Sequence, residues 1–345
     1  MAAVKTAVVL FNLGGPDRPE AIQPFLRNLF NDPAIIGLPW PMRPLLAEVI
    51  SRKREPQARE IYGRIGGRSP LNEETAAQAN KLTAALGEET RVFIAMRYWH
   101  PLVEDTAREV AEYRPDRIVL LPLYPQFSTT TTGSSFGEWF RCAARAGLTA
   151  PTTALCCYPQ EEGLVAAHAE LIAGALAKAG EAPVRVLFSA HGLPEKIVKA
   201  GDPYQWQVEQ TAAAVVEKLG RPGLDWQVCY QSRVGPLKWI GPSTDDEIKR
   251  AGADGKGAIV VPIAFVSEHS ETLVELDLEY GELARKAGCA PYIRVAALGT
   301  QDAFIAGLAG LVARACSTGA PAVSSHQGGR FCTGSWAKCP CAQGT

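Results

Sequence analysis

Apolar residues in this chain come in short unbroken runs rather than in strict alternation. They are TAVVLFNLGGPD, RVFIAMRYWHP and DRIVLLPLYPQFS in the first half, and VRVLFSAHGLPE, WQVCYQSRVGP and AIVVPIAFVSEHS in the second. A strand that is apolar on both faces is a parallel strand covered by helices, and the stretches between the runs carry helical periodicity. The pattern predicts an α/β protein. The runs also pair across the halves by their endings: Phe11 to Pro16 with Phe188 to Pro194, Arg97 to Pro101 with Ser232 to Pro236, and Leu123 to Gln126 with Ile263 to Val266. This weak internal repeat predicts two Rossmann-like doubly wound parallel-sheet domains with an intervening cleft, over residues 1–175 and 176–320, followed by a tail over 321–345. Ligands of such sheets sit beyond the carboxyl ends of the strands, so the six endings should line the cleft.

Length and composition fit this division. The chain has 345 residues, 47% of them apolar, enough for two cores of ordinary size. Lysines and arginines number 35 against 36 aspartates and glutamates, and no basic run exceeds Arg52, Lys53 and Arg54, so no nucleic-acid partner is expected. The opening MAAVKTAVVLFNLGG lacks the features of a signal peptide and no apolar run reaches about 18 residues, so a cytoplasmic protein is expected. Thiols there stay reduced, and clustered cysteines then point to metal rather than to disulfides. Cys142, Cys229, Cys289 and Cys316 stand alone. Cys332, Cys339 and Cys341 share a Gly/Ser-rich tail that cannot fold by itself and would be ordered by a metal centre. Cys156 or Cys157 is a candidate fourth thiolate, while three thiolates with His326 would suit zinc.

Candidate chemistry sits in two endings of the second half. In VLFSAHGLPE, His191 follows a buried strand; by itself such a histidine is more often structural, donating to a nearby carbonyl. In FVSEHSETLVELDLEY a strand gives way to a helix with Ser267 as its expected N-cap. Glu268, Glu271, Glu275 and Glu279 then fall on one helix face, with no lysine or arginine three or four residues away to relieve their repulsion. Such a row beside His269 and facing His191 suits Fe, Mn or Zn, and desolvated carboxylates next to an imidazole also accept and pass protons.

The stretches FNLGGP, YGRIGGRSPL, RYWHP, LYPQFSTTTTGSS, FSAHGLP, GDPY, YQSRVGPLKWIGP and PIAFVSEHSETLVELD together resemble the ferrochelatase family, over nearly the whole chain. The resemblance implies the chelatase fold and a haem-biosynthetic lyase that inserts Fe2+ into protoporphyrin IX with release of two protons. It implies His191 as the active-site histidine and Glu271 as the carboxylate facing it across the porphyrin plane, both able to hold the incoming Fe2+. Glu268, His269, Glu275 and Glu279 would form a route for metal or protons, and Leu13, Arg97, Tyr98 and Trp239 would contact the macrocycle. Some members carry a [2Fe-2S] cluster on C-terminal cysteines plus one distant cysteine. The tail spacing resembles the bacterial variant, which implies Cys332, Cys339, Cys341 and Cys157, with Cys156 as the alternative.

Residues 38–54, LPWPMRPLLAEVISRKR, place Leu38, Trp40, Met42, Leu45, Leu46, Val49 and Ile50 ahead of the basic triad. That order suits a surface resting on an anionic membrane, and in the family a similar segment forms a hydrophobic lip. Peripheral contact with the inner face of the cell membrane is therefore expected, and the resemblance raises an interaction with the enzyme that oxidises the preceding porphyrinogen. The alternatives are a coproporphyrin ferrochelatase and a non-catalytic porphyrin or iron carrier.

Overall fold

The computed structural model describes residues 4–233, 235, 237–317 and 323–342. The expected start of the tail lies outside them, as do Val234 and Pro236 of the YQSRVGPLKWIGP stretch. In the first half the elements are β1 (Thr6–Asn12), α1 (Ile22–Phe30), α2 (Met42–Gly63), α3 (Leu71–Leu86), β2 (Thr90–Met96), α4 (Val103–Tyr113), β3 (Arg117–Pro122), α5 (Thr132–Arg145), β4 (Thr152–Cys157) and α6 (Glu162–Ala179). In the second they are β5 (Val184–His191), α7 (Glu195–Lys199), α8 (Tyr204–Leu219), β6 (Trp226–Gln231), α9 (Thr244–Ala253), β7 (Gly257–Pro262), a π-helical segment Glu271–Glu279, α10 (Tyr280–Lys286), β8 (Tyr292–Arg294), α11 (Asp302–Ser317) and β9 (Val323–Ser325).

Two parallel sheets result, in the orders β2-β1-β3-β4-β9 and β6-β5-β7-β8. The six apolar runs are β1, β2, β3, β5, β6 and β7, and each triplet has the same spatial order, with its first strand in the middle. The internal repeat is thus a repeat of topology. Every residue of β1 is buried, as a central strand sandwiched between helices must be, and each such Val, Leu or Phe contributes about 1.5–3 kcal/mol of transfer free energy.

The chain does not stay in its second unit to residue 320. From 302 it returns to the first sheet, where Phe304, Ile305, Leu308, Leu311 and Val312 of α11 pack with Val8, Leu10, Val119 and Leu121, and β9 then adds to β4. The reason is the apolar face of α11, which fits a face of the first sheet left open. Glycines let α11 cross α6 closely: a Cβ on Gly163 would lie 2.2 Å from the Ala303 carbonyl oxygen. The two units are also joined by fully buried Gln78, whose Nε2 donates to the carbonyls of Val266 (2.8 Å) and Gly299 (3.0 Å) while its Oε1 accepts from Ser267 Oγ (3.1 Å). Ser267 is therefore part of this joint rather than an N-cap; the segment after β7 becomes helical only at Glu271.

Candidate active site

His191 is the last residue of β5 and Gln231 the last of β6, paired in register. The next residue, Gly192, donates its N–H to the Gln231 carbonyl at 2.8 Å, and any Cβ there would lie 2.8 Å from that oxygen, so a glycine is required. Opposite, the π-helical segment carries Glu271 and Glu275. Its i→i+5 bonding widens the turn, a distortion often found where a helix serves a site. His191 Nδ1 lies 2.8 Å from Glu271 Oε2.

Behind this pair, Ser232 sits in the left-handed region at φ 58°. From there its N–H donates to Glu275 Oε1 at 2.8 Å, and its hydroxyl lies between Glu275 Oε2 and Glu271 Oε2, the latter at 3.2 Å. Gln231 Nε2 donates to Glu275 Oε2 (3.1 Å) and to the Glu271 carbonyl (3.2 Å), and the Tyr280 hydroxyl donates to Glu275 Oε1 (3.1 Å). Tyr204 donates its hydroxyl to the His191 carbonyl at 3.2 Å.

This arrangement separates the protonation of the two carboxylates. Burial disfavours every charged form here, yet the mutual charge and hydrogen bond override it for the pair. Glu271 and Glu275 hold His191 above its ordinary 6.5, and His191 pulls Glu271 to about 2, with His269 and Ser232 adding to the fall at Glu271. Glu275 moves the other way, raised by burial and by the charge of Glu271. Neighbouring acids pushed apart in this way are the usual sign of divided acid and base roles. His191 and Glu271 remain 43% and 33% exposed, so the pair is open to a ligand.

Three expectations need correction. His191 and Glu271 do not face each other across a ring: van der Waals contact on each face of a flat macrocycle takes about 3.5 Å, and these atoms are in direct hydrogen bond. The acidic row is not uncompensated either, because its cations come from elsewhere in the fold. Arg294 of β8 bonds Glu268 Oε1 at 2.6 Å, and Arg64, the residue that caps the end of α2, reaches Glu279 at 3.4 Å. Finally, His269 is buried against the Phe265 ring with centroids 4.6 Å apart, and burial keeps it neutral at pH 7, so it does not join the open pair.

Comparison with known proteins fixes the family. The ferrochelatase family model matches residues 5–316. A ferrochelatase of Caulobacter vibrioides is 59% identical over 99% of this chain and 98% of its own, and one of Hyphomonas neptunium is 51% identical over 98% and 95%. The chain belongs to the ferrochelatase family. It is therefore an enzyme of haem biosynthesis that inserts iron into a porphyrin. Among solved structures, SirB from Bacillus subtilis with Fe3+ superposes with a TM-score of 0.57 at 14% identity, covering 91% of this chain and 96% of that one, a likeness of fold alone.

Just past the carboxyl end of β2, Arg97 is held in a buried polar network. Asp32, almost wholly buried, accepts from Arg97 Nη2 (3.0 Å), the Tyr98 hydroxyl (2.7 Å) and Ser134 Oγ, while Arg97 Nε donates to Ser134 Oγ at 2.8 Å. Tyr98 is 1% exposed and its hydroxyl is committed to Asp32, so it supports Arg97 from within the first unit. Leu13, just past β1, and Trp239, in the loop after β6 where it bridges to Pro194, are half-buried, and the Trp239 Nε1 has no hydrogen-bond partner. The lip is as apolar outside as expected: Trp40 is 80% exposed and Leu45 68%, with Met42, Leu46 and Val49 beside them and Arg52, Lys53 and Arg54 following. Tyr62 near the end of its helix, α2, is buried, and burial pushes its hydroxyl up to about 12, with the charge of Glu271 adding to the rise. No helix among the described residues is long and apolar enough to cross a membrane.

The tail brings its cysteines to the end of β4. Cys156 Sγ lies 3.5 Å from both Cys157 Sγ and Cys341 Sγ; Cys157 also neighbours Cys332, and Cys339 neighbours Cys332 and Cys341. The five sulfurs form a closed ring of unlinked thiols walled by Phe127, Val323 and Phe331. Among the described residues no three donors converge as a single metal ion requires.

Sequence reasoning left Gln231, Ser232, Tyr280 and Asp32 without a role. The YQS stretch was visible, but its role depends on a backbone turn at Ser232 that residue type does not signal, because a left-handed serine is uncommon.

Proposed function

We propose that this ferrochelatase-family enzyme is a lyase inserting Fe2+ into protoporphyrin IX, with the His191–Glu271 pair at its centre. The observation that carries the reading is that pair itself, an imidazole and an ionised carboxylate in hydrogen bond at the carboxyl ends of the second sheet, open to the cleft. Insertion demands that two pyrrole N–H protons leave while Fe2+ sheds water. His191 in its neutral form takes a pyrrole proton, and Glu271 stabilises the imidazolium produced. Glu275, hydrogen-bonded through Ser232 and poised to hold a proton, receives what the pair gives up. The same imidazole and carboxylate donors suit Fe2+ as it arrives. Arg97, Leu13 and Trp239 contact the macrocycle. A non-catalytic carrier would have no use for a base paired with a carboxylate. The exposed apolar lip favours protoporphyrin over the more acidic coproporphyrin, and with its basic triad it favours peripheral contact with an anionic membrane from the cytoplasmic side. The same face suits handover from a porphyrinogen-oxidising partner.

The cysteine ring supports a [2Fe-2S] cluster. A binuclear cluster takes two thiolates on each iron, which matches sulfurs that neighbour one another in pairs better than zinc on three thiolates and His326 would. Cys332, Cys339 and Cys341 with Cys157, or with Cys156 in its place, would hold it, and it would supply a one-electron redox centre.

Anaerobic turnover tests the first reading: wild type should form haem from Fe2+ and protoporphyrin IX, and His191→Ala should bind porphyrin without turnover. Porphyrin binding without haem formation by the wild type would overturn it. For the cluster, the purified protein should absorb in the visible region and contain iron and acid-labile sulfide, and Cys332→Ser should be colourless.

A further inference from the structure

The first two turns of α8 stand between three parts of the molecule that have so far been described apart. On one side lies the loop that follows the carboxyl end of β3. Asp202, fully buried just before α8, accepts from Ser128 Oγ (3.0 Å) and from Thr129 N and Oγ1 (both 2.7 Å), while Thr211 Oγ1 accepts from Gln126 Nε2 (3.0 Å). On a second side Tyr204 holds the His191 carbonyl. On the third, Trp206 packs against Phe331 and Trp336 of the tail, with ring centroids 5.2 and 6.2 Å away.

Gln207 is fully buried at the junction. Its Oε1 accepts from the Phe127 backbone N–H at 2.7 Å, and its Nε2 donates to Cys332 Sγ at 3.0 Å. The first bond fixes the second: with the carbonyl end committed to a backbone donor, only the amino group can face the sulfur. Cys332 must then be an acceptor. A thiol accepts weakly, whereas a thiolate bound to metal accepts well, and hydrogen bonds onto ligand sulfurs raise the potential of an iron-sulfur centre by stabilising its more negative, reduced state.

We propose that Gln207 is a positioning residue that couples the cysteine centre to the substrate cleft, tuning the centre through Cys332 and holding the cleft loop through Phe127. The inference rests on the cluster reading above. It gives the tail a mechanical connection to the site: a change at Cys332 is felt by the amide, and through it by the loop carrying Gln126, Ser128 and Thr129.

The experiment is a redox titration of the full-length holoprotein, followed in the visible region, for wild type, Gln207→Glu and Gln207→Leu. Gln207→Glu keeps an acceptor for Phe127 but removes the donor to Cys332 and sets a negative charge beside it. Its midpoint potential should fall below that of wild type while KM for porphyrin stays within about twofold. Gln207→Leu loses both bonds, so its potential should fall and its KM should also rise several-fold with kcat less affected. A potential unchanged in both variants would overturn the inference and leave the cluster standing. A wild type without bound iron and sulfide would overturn the cluster and the inference with it. If neither variant folds, resonance Raman of the wild type decides: Fe–S stretching bands should shift in D2O, and bands that do not move would contradict a hydrogen bond to the ligand sulfur.

Discussion

The two sheets share one strand order, yet they differ at the equivalent residue. Asn12 ends β1 paired with Met96, as His191 ends β5 paired with Gln231. Asn12 is buried, its Nδ2 donating to Thr75 Oγ1 at 3.0 Å and its Oδ1 accepting from the Leu13 N–H, so its polar groups are spent inside the first unit. His191 keeps its imidazole at the cleft and pairs it with a carboxylate from a different element. The repeated topology therefore supplies one end whose polar groups are closed on themselves, with Arg97 held by Asp32, and one end that titrates. The fold sets the place, and the chemistry follows from which copy turns its terminal side chain outward.

The sharpest contrast is a pair of substitutions. His191→Ala should lower kcat by about 10²–10⁴-fold with little loss of stability, as removal of a general base does. Asn12→Ala should do the reverse, costing about 1–3 kcal/mol through an unsatisfied buried partner while the folded fraction keeps near-normal turnover. Steady-state kinetics and urea unfolding of both variants check this.

A smaller effect is expected at Ser232. Ser232→Gly suits the left-handed backbone and keeps the N–H bond to Glu275 but removes the hydroxyl between the carboxylates. Stability should hold or rise while kcat falls roughly tenfold, the loss of one hydrogen bond to a charged group. Activity and stability falling together would show the hydroxyl to be structural.

The pair should also leave its mark on stability against pH. His191 is raised above 6.5, so its contribution is full below 6.5 and is lost as pH climbs through the raised value. Glu271 is lowered from 4.5 to about 2, so its contribution is full above 4.5 and is lost as pH falls toward 2. The pair therefore stabilises most between 4.5 and 6.5. Chemical denaturation of wild type and Glu271→Gln across pH 4 to 9 should show their difference shrinking above pH 6.5.

The smallest intrinsic effect belongs to the lip. Trp40→Ser with Leu45→Ser should change stability by about 0.5 kcal/mol or less, as expected at exposed positions, and leave turnover of detergent-dispersed porphyrin unchanged. Sedimentation with anionic vesicles should drop, and unchanged binding would remove the lip from membrane contact.

Much of this was legible in the sequence because runs buried on both faces are hard to mistake, and because endings repeated three times imply a repeated topology. β4 was overlooked: TTALCC opens with two threonines and has only four apolar residues. The return of α11 to the first sheet was not legible, since an apolar helix face does not say which sheet it covers. The acidic row was read correctly as a place and incorrectly as a charge state, because Arg64 and Arg294 lie far from it in sequence. The direct contact of His191 with Glu271 was hidden for a related reason: it joins a strand end to a helix 80 residues later.

The most direct test of the central claim is single-turnover Fe2+ insertion under anaerobic conditions by wild type, His191→Ala and the double variant His191→Ala/Glu271→Gln. If the two residues work as one hydrogen-bonded unit, the double variant should be no slower than His191→Ala within about threefold. Losses that multiply in the double variant would mean that the two side chains act independently, and would contradict the account.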